Sequence, residues 1–270
     1  MAKHRRTWNN VTFNKHLREG RGQGVGAEYV PWLCIQDFPS LGIVSRVYGA
    51  TTGRIHHLMS NLELSLFYLL DWSDNVIDIR EQYPLLDLAN AIEIAENAKI
   101  RYPYDTKNSF PYVLTSDFYV ETIQGAMIMS VKPSSELGNP RVREKLEIER
   151  RYWVARGIEW SVMTENEINT IKARNIEWLS QARDLSVFGL CATTQDACIN
   201  FFLEAYEVAS CSLCSLFSAI EKEFGLVSGM GLNIYKHLAY WKQICFNVDK
   251  KVDLAKLHLC ACPNYVGGAI

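Results

Sequence analysis

Two short apolar runs, Tyr112–Val120 and Ala126–Lys132, are separated only by a small polar break containing Gln124-Gly125. Runs this short and this close leave little room for anything but a β-hairpin. Closed symmetrically about Gln124-Gly125, the ladder sets Asp117 opposite Lys132, with both side chains on one face. A carboxylate and an ammonium paired in this way offer a metal ligand beside a cation. Phosphodiester hydrolysis uses both, the metal to activate water and the lysine to stabilise attacking hydroxide or the charge that develops on phosphorus.

A third candidate, Glu63, stands upstream. Ser60 opens a helix through Leu70, with apolar residues at Leu62, Leu66, Phe67, Leu69 and Leu70. Ser60-Asn61-Leu62-Glu63 also reads as a capping box, in which Glu63 does no more than satisfy a backbone N–H. Local sequence favours the cap. Further along, Val76–Ile79 reads as a strand, Ala89–Ala98 as a helix, Arg141–Arg156 as a long charged helix and Trp160–Thr164 as a short strand. That order predicts an α/β domain, a mixed sheet flanked by helices. Lys145 and Glu149 lie four apart on one face of the charged helix, where a solvated face is the ordinary outcome. The alternative sets Lys145 on DNA and Glu149 in support of a metal site.

After a polar connector, Glu165–Asn175, the pattern turns helical: Ile176–Val187, Asp196–Tyr206, Cys211–Phe224 and Asn233–Trp241. Gln243–Val248 and Lys256–Cys262 read as two strands about a polar turn, so helices followed by a hairpin predict a winged-helix-like module. The expected organisation is 1–170, opened by a basic arm at 1–26, and 171–270, with the boundary near Ile168–Lys172.

Net charge is −2, low for a protein that grips DNA unaided, since phosphate neutralisation dominates such affinity. Residues 1–60 carry eight Lys/Arg against three Asp/Glu, 61–170 eleven against eighteen, and 171–270 nine against nine. The basic arm, with Lys3, Arg5, Arg6, Lys15, Arg18 and Arg21, reads either as a disordered segment or as a contact to the DNA backbone. No apolar run reaches membrane-spanning length, and no apolar core follows Met1–Arg6, so a cytoplasmic location is expected and the eight cysteines are expected to be reduced thiols. Cys211-x-x-Cys214 and Cys260-x-Cys262, with His237 or His258, could suggest zinc, but cysteine in an apolar helix behaves as a small hydrophobe.

Longer blocks carry a resemblance. They are Gly20-Arg21-Gly22-Gln23-Gly24, Tyr29-Val30-Pro31-Trp32-Leu33, Thr52-Gly53-Arg54-Ile55-His56-His57-Leu58, Leu62-Glu63, Asp78-Ile79-Arg80-Glu81-Gln82-Tyr83-Pro84-Leu85, Glu149-Arg150-Arg151-Tyr152-Trp153 and Ile176-Glu177-Trp178-Leu179. Over Leu17–Leu179 the chain resembles the TnsA endonucleases, the partner nucleases of heteromeric bacterial cut-and-paste transposases. The resemblance implies a restriction-endonuclease-like catalytic domain followed by a winged-helix-like one. It also implies Mg²⁺-dependent cleavage of the 5′ strands at transposon ends, with Mn²⁺ able to substitute. Glu63, Asp117 and Lys132 would be catalytic, with Mg²⁺ held by Glu63, Asp117 and the Val131 carbonyl. Double-stranded DNA, a DDE-type transposase subunit (TnsB) and an AAA+ ATPase (TnsC) would be the partners, in a bacterial cytoplasm and on the nucleoid when active. A stand-alone repair or resolvase nuclease of the same fold, and a non-catalytic DNA-bridging subunit, are the rival readings.

One position departs from the pattern. Ser130 stands where the family usually has Gln and related nucleases Glu or Asp. Its short neutral side chain predicts a site that stays active with weaker metal affinity, water filling the gap.

Overall fold

The computed structural model of the 270-residue chain describes residues 8–37, 43–208 and 212–252. Contacts divide the chain into two compact units, with the division between Ile168 and Asn169.

In the first unit, α1 (Asn10–Arg18) leads to a hairpin of β1 (Ser45–Gly49) and β2 (Arg54–Leu58), then α2 (Asn61–Asp71). The main sheet follows as β3 (Val76–Pro84), β4 (Thr115–Thr122), β5 (Gly125–Val131) and β6 (Glu159–Met163), with α3 (Leu88–Asn97) and α4 (Pro140–Val154) inserted. Strand order is β3-β4-β5-β6; the first two pairings are antiparallel and β5–β6 is parallel. This is the mixed sheet flanked by helices expected from the sequence.

Alternation along the strands builds two cores. Phe118, Val120, Met129 and Val131 pack with Leu66, Phe67 and Leu70 of α2. Ile128, with Tyr119 at its margin, packs with Ala91 and Ala95 of α3 and Ile148, Tyr152 and Trp153 of α4. Burying both faces of the sheet under helices is the usual way an α/β layer removes its apolar surface from water.

The basic arm is largely structured within the described residues. Asn9 caps α1 by accepting from the Thr12 N–H at 2.9 Å, and Trp8, Phe13 and His16 pack around Trp32. Gly22 donates to the Val30 carbonyl at 2.6 Å, and a Cβ at Gly22 would lie 2.3 Å from the Pro84 ring. Arg21 is held by Glu19 and Asp37, at 2.9 and 2.6 Å, so it is part of the scaffold rather than a loose DNA contact. Lys3, Arg5 and Arg6 lie outside the described residues.

In the second unit, α5 (Thr170–Ser180), α6 (Ala192–Val208), α7 (Leu213–Glu223) and α8 (Met230–Tyr240) form a helical module around Ile176, Leu179, Phe202, Leu216, Ile220, Ile234 and Leu238. A Cβ at Gly231 would sit 2.6 Å from the Phe217 Cα, so α7 and α8 cross where only glycine fits. The expected strand at Gln243–Val248 is absent: these residues form turns and irregular chain. The Asn175 amide donates to the carbonyls of Val248 and Lys250, both at 2.7 Å, and so takes acceptors a strand would need. Lys256–Cys262, the other half of the expected wing, lies outside the described residues. Cys34, Cys191, Cys198 and Cys214 are free thiols, but Cys245 is disulfide-bonded, against the expectation of eight reduced thiols. No helix among the described residues is long and apolar enough to cross a membrane.

Candidate active site

The β4–β5 hairpin turns at Ile123-Gln124 rather than Gln124-Gly125. Thr122 pairs with Gly125 and Phe118 with Met129. Continued one step, this register sets Asp117 opposite Ser130, not Lys132. The slip from the symmetric closure is two residues, and side chains alternate with period two, so Lys132 stays on the same face as Asp117. The Lys132 backbone N–H donates to the Met163 carbonyl at 3.1 Å, prolonging the β5–β6 ladder and fixing the root of the side chain.

From there Lys132 reaches back. Its Nζ donates to Asp117 Oδ2 and to the Val131 carbonyl, both at 2.8 Å. The Val131 N–H also donates to Asp117 Oδ2, at 2.6 Å. Burial works against the Lys132 charge, but the adjacent Asp117 carboxylate outweighs it and holds the ammonium above its usual pKa.

Glu63 caps its helix, as its local sequence predicts. Its N–H donates to Ser60 Oγ at 3.1 Å; its carboxylate accepts from the Ser60 hydroxyl at 3.0 Å and from the N–H of Met59, one residue before the cap, at 2.9 Å, a variant of the capping box. It is also buried and close enough to Asp117 to feel its charge. Burial first, and then Asp117, push its pKa up to about 7. A capping carboxylate keeps free lone pairs on both oxygens, so the cap does not exclude a second use. The structure therefore brings Glu63, Asp117, Lys132 and Val131 together.

A third acid lies behind them, on the far side of Ser130. Glu149 of α4 is buried, against the solvated face expected for its helix, while Lys145 one turn earlier is exposed. The Ser130 hydroxyl donates to Glu149 Oε1 in a short hydrogen bond. Burial raises the Glu149 carboxyl to about 7, and the Asp117 charge adds to that. The gap expected behind Ser130 is thus filled by an acid from the neighbouring helix. The sequence held a signal for it: Leu146, Glu149 and Trp153 form one buried stripe, and Glu149 stands where an apolar residue would be expected.

Residues 73–165 match the family described as TnsA-like endonuclease N terminal, and residues 167–248 match TnsA endonuclease C terminal. The chain belongs to the TnsA endonuclease family. It is 42% identical over 182 residues to the transposon Tn7 transposition protein TnsA of Escherichia coli, a match covering 66% of this chain and 66%, just under two thirds, of that protein. Asp117, Ser130, Lys132 and Glu149 fall inside the segment matched to the TnsA N-terminal family, whereas Glu63 precedes it.

Proposed function

We propose that this chain is the DNA endonuclease subunit of a heteromeric transposase, cutting the 5′ strands at transposon ends in a Mg²⁺-dependent reaction. The observation that carries the reading is the Lys132–Asp117 contact beside a second buried carboxylate, Glu63, on a sheet of TnsA type. The donor set suits Mg²⁺. It is all oxygen, two carboxylates and the Val131 carbonyl, and Mg²⁺ binds through one or two carboxylates while keeping several waters. Among the described residues no three His, Cys, Asp or Glu side chains converge as a metal centre, so water would complete the shell. Mn²⁺ would substitute through the same oxygens.

Glu63, Asp117 and the Val131 carbonyl would hold the ion, which supplies a polarised water and neutralises phosphate charge. Lys132 Nζ, freed from one of its two acceptors, donates to the attacking hydroxide or a non-bridging phosphate oxygen and stabilises the pentavalent transition state. Water oxygen bonds to phosphorus, the bond to the 3′ oxygen breaks, and the water proton leaves through solvent. The products are a 5′-phosphate and a 3′-hydroxyl. A net charge of −2 supports a division of labour in which a DDE-type subunit such as TnsB brings the DNA ends and cuts the 3′ strands, and an AAA+ ATPase such as TnsC joins the assembly.

Purified chain, incubated with the transposase subunit and DNA bearing transposon ends, should introduce 5′-strand breaks only with Mg²⁺ or Mn²⁺. Asp117→Ala should abolish them. Cleavage by Asp117→Ala at the wild-type rate, or 5′ breaks in the presence of a chelator, rejects the assignment.

A further inference from the structure

Four described residues other than glycine have left-handed backbones: Gln82, Lys99, Ser109 and Lys242. Three have ordinary reasons. Lys99 and Lys242 directly follow the last residues capping α3 and α8, and Ser109 closes a tight turn by donating to the Asp105 carbonyl at 2.9 Å. Gln82 is different. It lies inside the nine-residue strand β3, at φ 49°, and is buried. Nothing about a strand calls for that conformation, and a side chain makes it strained.

Its position explains what the strain accompanies. Glu81 pairs with Phe118 and Tyr83 with Ser116, so Gln82 is the ladder position opposite Asp117. The left-handed turn takes Gln82 itself out of the ladder, and its carbonyl accepts instead from the Trp32 N–H at 3.3 Å. The side chain spans two elements. Its Oε1 accepts from the Thr115 hydroxyl at 3.1 Å, and its Nε2 approaches Glu63 Oε2 at 3.5 Å. The closer partners of the Glu63 carboxylate, Met59 and Ser60, belong to its own helix cap and fix it only relative to α2. Gln82 ties the same carboxylate to the strand that runs beside Asp117.

We propose that Gln82 is a positioning residue of the cation site, its amide holding Glu63 in place relative to Asp117. The inference rests on the metal-site reading above. An amide suits the task because it donates to one group and accepts from another without adding charge between two carboxylates.

The test uses the full chain and Mn²⁺ binding measured by calorimetry, with thermal unfolding in parallel. Gln82→Gly keeps the left-handed backbone without strain and removes the amide. Gln82→Met keeps the side-chain length and removes the amide. Both should bind Mn²⁺ about tenfold more weakly or worse, with Gln82→Gly unfolding at or above the wild-type temperature. Asp117→Asn serves as the reference for loss of the site. Wild-type Mn²⁺ affinity in either folded Gln82 variant, while Asp117→Asn is weakened, overturns this inference alone. Absence of Mn²⁺ binding by the wild type, or undiminished binding by Asp117→Asn, removes the metal-site reading and this inference with it.

Discussion

Lys132 Nζ bridges Asp117 Oδ2 and the Val131 carbonyl oxygen at 2.8 Å each. Both oxygens are among those proposed, with Glu63, to hold Mg²⁺. The ammonium and the ion therefore compete for the same electron pairs while both serve the reaction. Lys132→Met should separate the two roles. Cleavage should fall by about a hundredfold or more, the usual effect of removing a charge stabiliser from a transition state. Mn²⁺ affinity, read by calorimetry, should hold or rise, because a competing cation is gone. A parallel loss of Mn²⁺ binding would mean that Lys132 builds the cation site rather than contesting it.

Two buried carboxyls, Glu63 and Glu149, are both raised to about 7, from an ordinary 4.5. Burial is the leading cause for each, so without a cation the folded chain holds protons that the unfolded chain releases. Their contribution to stability is complete below about pH 4.5 and is lost as pH rises through about 7. Cation binding runs the other way, since it needs the ionised form. Mn²⁺ affinity should climb between about pH 6 and about pH 8, by up to tenfold per pH unit for each proton displaced. An affinity flat across that range would show that neither carboxyl gives up a proton on binding. Glu149→Gln should flatten the fall in metal-free unfolding temperature over the same range, and an unaltered slope would exclude Glu149 as its source.

Ser130 is almost fully buried, and its hydroxyl is committed to Glu149. Restoring the family's usual glutamine would drive extra volume into a filled space. Ser130→Gln alone should destabilise the chain by roughly 1–3 kcal/mol, the cost of overpacking a core. Removing the obstruction in Ser130→Gln with Glu149→Ala should recover part of that loss, and chemical denaturation of the single and double variants measures the coupling. Strict additivity would mean that the two side chains do not share the space.

How much of this was legible in the chain follows from the period of each element. Asp117 and Lys132 were readable because a two-residue slip in a hairpin preserves the face, so the site survived a misplaced turn. Glu63 was legible as a cap, whereas its approach to Asp117 depends on how α2 packs on the sheet. Glu149 stayed ambiguous because α4 is charged all round, and only its place in the Leu146–Trp153 stripe tells it from Glu144 and Glu147. The β1–β2 hairpin was not legible at all. Arg54 and His56 point inward while Ile55 faces out, so the apolar pattern marks the wrong side of the strand. The helix α1 was hidden by polar composition, since its packing rests on a few rings rather than an aliphatic stripe.

Glu81, fully buried, accepts from Arg54 Nη1 at 2.9 Å and Nη2 at 2.6 Å, from the His57 N–H at 3.0 Å, and stands 2.8 Å from His56 Nδ1. Burial opposes its charge, yet the hydrogen bonds and charges of His56 and Arg54 bring its pKa down to about 2. This one carboxylate joins the β1–β2 hairpin to β3, the strand that carries Gln82. Glu81→Ala leaves Arg54 buried without its partner, and losing one member of a buried pair costs about 3–5 kcal/mol. With a folded pKa below the unfolded value, the Glu81 contribution is present above about pH 4.5 and lost as pH falls towards about 2. Urea denaturation near neutral pH should therefore show a loss of that size in Glu81→Ala, and the gap between variant and wild type should narrow below about pH 4. A surface-like effect under about 0.5 kcal/mol would mean that the network contributes nothing to holding the hairpin on the sheet.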